Sequence, residues 1–129
     1  MSKLILIPTP IGNLGDITQR AVECIKTVDI LLCEDTRRSL KLLNHLKIKK
    51  PLKSYHKFNE HSTVGKVINE IESGLMVGLI SDAGTPSISD PGYLIVKMCI
   101  DNNIEVECLP GPTALIPALA VSGLPSERF

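Results

Sequence analysis

The sequence predicts an α/β fold: a five-stranded, mainly parallel sheet with helices on both faces. Short apolar runs alternate along the chain with longer segments whose apolar residues recur every three or four positions. The apolar runs are continuous rather than alternating, as expected of strands that helices bury on both faces. Clusters rich in glycine, proline and polar residues follow the runs, and the ligands of such sheets bind beyond the carboxyl ends of the strands.

Length and composition indicate one folded domain. The chain has 129 residues, of which 43% are hydrophobic and 22% are charged, a balance typical of globular domains. No apolar run approaches the roughly 18–20 residues that span a bilayer. The apolar run after Lys3 is too short for a signal peptide. We therefore expect a cytoplasmic protein that contacts no membrane.

The five strands are predicted at the apolar runs, and the third of these runs is the weakest. They cover residues 3–8, 29–33, 52–56, 76–80 and 104–109.

The five helices are predicted where apolar residues share one helical face. They cover residues 17–28, 37–46, 64–71, 93–100 and 113–121. We expect Asp16 to cap the first helix, because Gln19 three residues later completes a pattern similar to a capping box. Asp90 and Pro91 introduce the fourth helix, and Gly123 ends the fifth.

Cysteines and aromatic residues exclude some classes of function. The four cysteines, at positions 24, 33, 99 and 108, lie in apolar stretches and form no C-x-x-C pair. No histidine is placed to complete a zinc site with them, so we expect buried, reduced thiols and no metal. Aromatic residues make up 3% of the chain, too few for a sheet that stacks unpaired bases.

Charge is unevenly distributed, although the net charge is zero. Residues 37–66 contain nine lysines and arginines, all three histidines and a single acid, Glu60. The rest of the chain contains five basic and thirteen acidic residues. This asymmetry favours an anionic partner on one face. A solvated face with lysines on its loops is the alternative.

Two loops after strands are candidate ligand loops. Residues 8–16 contain glycines that let backbone approach a ligand closely, but they match neither the dinucleotide fingerprint nor a P-loop. An ordinary turn is the alternative there. Residues 81–92 form a loop far longer than a turn requires, and Asp82 can accept hydrogen bonds from ligand hydroxyls or an amine. Here the alternative is an elaborate helix cap around Asp90.

Two shorter clusters also follow strands. Residues 110–113, Pro-Gly-Pro-Thr, are predicted to open the last helix, whose free N–H groups suit a carboxylate or phosphate. Residues 34–38 contain two carboxylates and two arginines. The carboxylates could orient a hydroxyl and the arginines could hold phosphates. A cluster of ion pairs that satisfy one another is the alternative reading of residues 34–38.

These four clusters together resemble a known family. The segments LIPTPIGNLGDI at 6–17, CEDTR at 33–37, LISDAGTPSISDPG at 79–92 and LPGPTA at 109–114 are similar to the ribosomal RNA small subunit methyltransferase I family of the tetrapyrrole methylase superfamily. The resemblance begins at about residue 4, reaches the end of the chain and keeps the motif order. One departure is that the superfamily's usual Gly-Asp-Pro reads Ser81-Asp82-Ala83 here.

The resemblance implies a methyltransferase with two α/β domains and S-adenosylmethionine in the cleft between them. The family methylates the ribose 2′-oxygen of a cytidine in 16S rRNA of the small ribosomal subunit, and its members act as homodimers. Residues 1–129 correspond to the amino-terminal domain, and the second domain is absent from this chain. We therefore expect these residues to be inactive alone.

The resemblance also implies roles for individual residues. S-adenosylmethionine is expected to contact Pro10, Ile80, Ser81, Asp82, Ala83, Gly84, Ser87, Ile88, Thr113 and Ala114. Asp35 or Glu34 is expected to orient or deprotonate the attacking hydroxyl. The RNA is expected to contact Arg37, Arg38, Lys49, Lys50, Lys53, His56 and Asn59. Tyr55 and Phe58 are further candidates for contact with the target nucleotide, because they are the aromatic residues near the basic segment 37–66.

Two other functions are open at this point. One is a methyltransferase that acts on a tetrapyrrole such as precorrin or uroporphyrinogen. The other is an RNA-binding module without catalytic activity.

Overall fold

The computed structural model describes residues 2–89 and 91–129, and it confirms the predicted α/β fold. Its five strands are β1 Lys3–Leu6, β2 Ile30–Cys33, β3 Leu52–Ser54, β4 Met76–Leu79 and β5 Glu105–Cys108. Its five α-helices are α1 Gln19–Thr27, α2 Thr36–Leu46, α3 Glu60–Glu72, α4 Tyr93–Asp101 and α5 Leu115–Val121. Every strand lies within its predicted run.

The strands form one parallel sheet in the order β3-β2-β4-β1-β5. Leu4 of β1 lies opposite Val77 of β4 and Val106 of β5. Helices α1 and α2, which lead the chain toward the β3 edge, pack on one face; α3 and α4, which lead it back toward the β5 edge, pack on the other. All four crossovers therefore share one hand, as expected for parallel strands.

Two apolar layers hold the helices on the sheet. One layer packs α3 and α4 against β1, β2 and β4, and its largest buried side chain is Tyr55. The other packs α1 and α2 against the opposite face, with Ile25 and Leu31 fully buried. Both faces of the central strands are therefore covered, which explains why their sequences are continuously apolar.

The first helix begins later than the sequence predicted. Residues Leu14–Asp16 form a 3₁₀ turn, so Asp16 cannot serve as the cap. Thr18 caps α1 instead: its backbone is extended and its Oγ1 accepts a hydrogen bond of 3.0 Å from the Ala21 N–H. The prediction of Asp16 as the cap was wrong because Asp16 belongs to the turn and α1 begins only at Gln19.

The last helix is also shorter than predicted. It begins at Leu115 and has seven residues, with no side-chain cap at Ala114. Residues 110–113 precede it without helical structure, so the prediction that they open the helix was wrong, and the anion site predicted there stays a prediction. The alternative of a cap around Asp90 falls on a residue outside the described ones.

The cysteines are free thiols in three environments. Cys33 and Cys99 are buried, Cys24 is half-buried and Cys108 is exposed. Burial raises the pKa of the Cys99 thiol to about 11. The prediction of burial was wrong for Cys108, because β5 is an edge strand and the carboxyl end of an edge strand meets solvent.

Within the described residues, no helix has the length and apolar character needed to cross a membrane. The same residues contain no group of three or more histidine, cysteine or acidic side chains that could hold a metal ion.

Gly78 at the sheet centre tests how closely Leu31 of β2 and Ile7, which follows β1, pack against β4. A Cβ there would lie 3.0 Å from side-chain carbons of Ile7 and Leu31, so Gly78→Ala should overpack the layer and lower the free energy of unfolding by about 1–3 kcal/mol. Gly65 of α3 is the control, because a Cβ there meets nothing within 4 Å. Gly65→Ala should raise stability by about 0.5–1 kcal/mol. Urea unfolding measures both, and equal effects would contradict the packing described here.

Candidate functional site

The connections after β2 and β4 diverge at the carboxyl edge of the sheet. The chain leaves β2 over one face toward β3, and leaves the neighbouring β4 over the other face toward β5. Neighbouring strands whose connections diverge leave a crevice beyond their carboxyl ends, where α/β proteins bind ligands. The candidate site therefore lies between residues 34–38 and 81–89.

A hydrogen bond joins the two sides of this crevice. The Asp35 N–H donates to Asp82 Oδ1 over 3.2 Å. Asp35 also caps α2, because its Oδ1 accepts a hydrogen bond of 2.9 Å from the Arg37 N–H. That bond holds the pKa of the Asp35 carboxyl below its usual value, with a smaller contribution from the nearby Arg37 guanidinium. The crevice therefore carries an ionised carboxylate with a fixed orientation.

The loops after β1, β4 and β5 contact one another. Thr9 and Gly84 exchange backbone hydrogen bonds of 3.1 and 3.0 Å, and the Thr9 hydroxyl donates to the Ser81 carbonyl over 3.3 Å. Gly84 has φ +78°, a conformation that favours glycine. Gly111 lies so close to Pro8 that a Cβ would be 2.4 Å from the proline Cβ. These contacts place the three strand-end loops side by side.

Two clefts open at this edge. The smaller one, about 190 Å³, lies between the loops after β1 and β4 and the helix α2, with Pro10, Ile80 and Asp82 in its wall. The larger one, about 830 Å³, lies beyond β2 and β3 and is lined by charged, hydroxyl and aromatic side chains. Asp35 lines the larger cleft and Asp82 the smaller, so the hydrogen bond between them connects the two.

The predicted cofactor residues divide among three places. Those lining the smaller cleft are Pro10, Ile80, Ser81 and Asp82. Ser87 instead lines the larger cleft, whereas Thr113 and Ala114 are exposed and line neither. Ile88 is 73% exposed. Ala83 and Gly84 lie in the loop that Thr9 binds, and the Ala83 carbonyl accepts a hydrogen bond from the Ser81 hydroxyl.

The predicted RNA-binding residues also divide. Arg37 and His56 line the larger cleft together with Glu34, and Arg38 lines the smaller one. Lys49 is exposed in the connection that follows α2. Because a crossover helix runs back against its strands, this connection lies at the opposite edge of the sheet.

Three of the predicted residues are engaged within the fold. Lys50 donates to the carbonyls of Lys26 and Val28 at the end of α1, and Lys53 pairs with Glu70. The Asn59 side chain accepts a hydrogen bond of 2.8 Å from the His56 N–H and donates one of 3.1 Å to the Ser54 carbonyl. These three side chains therefore stabilise the fold through internal hydrogen bonds and an ion pair.

Sequence reasoning missed several residues of the clefts and misplaced one. Three residues of the larger cleft were missed: Ser54, Lys57 and Tyr93. Ser54 ends β3, Lys57 follows β3 and Tyr93 begins α4. The position of the first two at the carboxyl end of a strand, and of the third at the start of a helix, was the signal that could have indicated them. Tyr55, predicted to contact the target nucleotide, is completely buried. That prediction was wrong, because the first residue after β3 still packs into the apolar layer under α3 and α4.

Comparison with known proteins shows which proteins resemble this chain in sequence and fold. The sequence profile of the tetrapyrrole (corrin/porphyrin) methylases matches residues 3–129. Ribosomal RNA small subunit methyltransferase I of Thermotoga maritima is 49% identical over all 129 residues, which cover 58% of that protein. The same enzyme of Synechocystis is 51% identical over 129 residues, which cover 46% of it. The chain thus spans about half the length of the curated relatives it matches.

A solved structure shares the fold at low sequence identity. Uroporphyrin-III-C-methyltransferase of Thermus thermophilus superposes with a TM-score of 0.69 at 20% identity, over 97% of this chain and 53% of that one. This likeness, at under 25% identity, shows the fold, and the family profile covers residues 3–129. The chain therefore belongs to the tetrapyrrole (corrin/porphyrin) methylase family.

Proposed function

We propose that the chain is the amino-terminal domain of a methyltransferase that uses S-adenosylmethionine to methylate the ribose 2′-oxygen of a cytidine in 16S rRNA. The observation that carries the proposal is the pair of adjoining clefts, one beside the strand-end loops and one lined by carboxylates, cations and aromatic rings. The relatives that are about half identical are named ribosomal RNA small subunit methyltransferase I, which favours RNA over a tetrapyrrole as the substrate.

The smaller cleft fits part of the cofactor. Its wall offers the Asp82 carboxylate and the backbone of Ile80 and Ser81, and close contact between Gly111 and Pro8 brings the third loop near. Its volume of about 190 Å³ lies below the about 300–1,000 Å³ of most ligand sites. We propose that a second domain supplies the rest. S-adenosylmethionine, when bound, supplies a methyl group already activated by its sulfonium.

Asp35 is the residue that we propose acts on the ribose hydroxyl. Its carboxylate is fixed by the cap of α2 and by the hydrogen bond that its N–H donates to Asp82. Because its pKa is low, it is ionised at neutral pH and is a weak base. It therefore orients the 2′-hydroxyl and accepts the proton as the oxygen is alkylated, and positioning supplies most of the acceleration. Glu34 lines the same cleft and is the alternative.

RNA phosphates are proposed to bind the cations on the cleft side of the molecule. Arg37, Arg38 and Lys41 lie in the first half of α2 and line the clefts, as does Lys57 after β3. The prediction that Lys49, Lys50 and Lys53 contact RNA stays a prediction. The internal partners of Lys50 and Lys53 favour the first group as the source of phosphate contacts.

The full-length protein is further proposed to be a cytoplasmic homodimer that acts on the small ribosomal subunit. Helix α5 supports the existence of a further interface, because Leu115 and Val121 are 69% and 86% exposed. Apolar side chains clustered on one surface element are typical of contact sites.

The direct experiment is methyl transfer by the full-length protein from labelled S-adenosylmethionine. Small ribosomal subunits lacking the modification should accept the label, and mapping should place it on a cytidine 2′-oxygen. Uroporphyrinogen and precorrin should accept none. Label on a tetrapyrrole, with none on RNA, would overturn the proposal. Cofactor binding without transfer to any acceptor would favour the module without catalytic activity.

Replacing Asp35 by Asn separates its charge from its role as a cap. Asn caps helices about as well as Asp, whereas Ala costs about 0.5–2 kcal/mol, so Asp35→Asn should retain the stability that Asp35→Ala loses. Turnover in Asp35→Asn should fall about 10²–10⁴-fold if the carboxylate takes the proton, with unchanged cofactor affinity. Single-turnover transfer and urea unfolding measure these effects. Full turnover in Asp35→Asn, with Glu34→Gln impaired, would assign the role to Glu34.

The position of the cations predicts how RNA binding depends on salt. Each lost phosphate contact lowers the slope of log K against log salt by about 0.7–0.9. Replacing Arg37, Arg38 and Lys41 together by Gln should therefore flatten the slope of the full-length protein by about two units. A matched control replaces Lys26, Lys49 and Lys66 by Gln. This triple variant loses the same charge, but from exposed positions away from the clefts. Filter binding at several salt concentrations measures both. A flatter slope only in the control would place the RNA elsewhere.

A further inference from the structure

We propose that Phe58 is a stacking platform for one unpaired base of the RNA. This base rotates out of the RNA helix and enters the larger cleft. The inference rests on the proposed function and deepens it, because it names the part of the substrate that this cleft receives. Enzymes that modify a nucleotide within a folded RNA or DNA extrude it into a pocket and stack the base on aromatic side chains.

Phe58 is held in an exposed position by the backbone around it. Its side chain is 85% exposed, although it lies three residues from the completely buried Tyr55. Its N–H donates to His56 Nδ1 over 3.2 Å, and the His56 N–H donates to Asn59 Oδ1 over 2.8 Å. The turn that carries Phe58 is therefore fixed at both ends, and the exposure of the ring is a property of the fold.

The surroundings of the ring suit a nucleotide. Lys57 Nζ lies 5.1 Å from the centroid of the Phe58 ring, and the His56 ring meets it edge-on with centroids 5.9 Å apart. Lys57 lies over one face of the ring, so a base would stack on the other face, and the Lys57 ammonium beside the ring would be available to the RNA backbone. Stacking on an aromatic ring tolerates any base, so the platform would supply affinity and not sequence selection.

The rest of the cleft accommodates the sugar. Its volume of about 830 Å³ lies in the range of pockets that bury small molecules. The carboxylates of Glu34 and Asp35 line the same cleft as Phe58, as does Tyr93, which is 69% exposed. A nucleotide with its base on Phe58 therefore places its ribose hydroxyls among groups that accept hydrogen bonds. This arrangement links the platform to the carboxylate proposed to act on the 2′-oxygen.

A tryptophan at position 58 tests the stacking directly, because the chain contains no tryptophan. The probe is a single-stranded oligocytidylate added to the Phe58→Trp chain. We expect saturable quenching of the Trp fluorescence by the oligonucleotide and none by an abasic oligonucleotide of equal charge. The control is Ile100→Trp, at a position that is 62% exposed on the last turn of α4 and outside both clefts. Absence of quenching at position 58, or equal quenching at both positions, would overturn the proposal.

Affinity and kinetics provide a second test. Phe58→Ala should weaken oligocytidylate binding about 5- to 150-fold, the range measured when stacked aromatic residues are replaced, and Phe58→Tyr should restore it. In the full-length protein, Phe58→Ala should raise KM for the RNA while cofactor affinity stays unchanged.

The two proposals fail in different ways. If the full-length protein methylates ribosomal RNA but Phe58→Ala alters neither oligonucleotide affinity nor KM, the stacking proposal is wrong and the function stands. If base-dependent quenching holds but no RNA is methylated, the function is wrong and the platform stands. If Phe58→Ala changes only the oligomeric state, protein covers the ring and the stacking proposal is wrong.

Discussion

The pairing of β4 between β1 and β2 is the constraint on which the rest of the molecule depends. Parallel pairing brings the carboxyl ends of these strands to one edge, and a single hand of crossover sends the chain over opposite faces after β2 and β4. The crevice follows from these two facts. Gly78 permits the close packing of Leu31 of β2 and of Ile7 after β1 against β4, because a Cβ there would crowd both side chains.

The crevice is organised by one hydrogen bond between backbone and side chain. Asp82, at the end of β4, accepts from the Asp35 N–H, and Asp35 in turn caps α2. The start of α2 is therefore tied to the loop after β4, and the bond joins a residue of one cleft to a residue of the other. A ligand bound in one cleft therefore contacts Asp35 or Asp82, and the hydrogen bond between these two residues links it to the other cleft. This geometry suits a transfer reaction, because donor and acceptor must be held in contact for an in-line displacement.

The direction of α2 determines which cations of the basic segment 37–66 lie beside the clefts. The helix starts at the carboxyl edge of the sheet and ends at the opposite edge, so Arg37 and Arg38 lie beside the clefts and Lys49 lies far from them. Lys50 and Lys53 are held by carbonyls and a carboxylate within the fold. A segment that is uniformly basic in sequence thus contributes a smaller group of cations beside the clefts, where they can meet an anionic ligand directly.

The sequence by itself determined the type and order of the elements, the loops that bear the site and the family. Apolar periodicity records which residues are buried, so all five strands lie where it predicted them. Only the tertiary structure decided the strand order, the cap at Thr18, the partners of Lys50 and Lys53, and the outward position of Phe58. Periodicity does not specify which element covers a buried face. Hydrogen bonds such as that between Asp35 and Asp82 join residues far apart in the chain, so they exist only once the strands are paired.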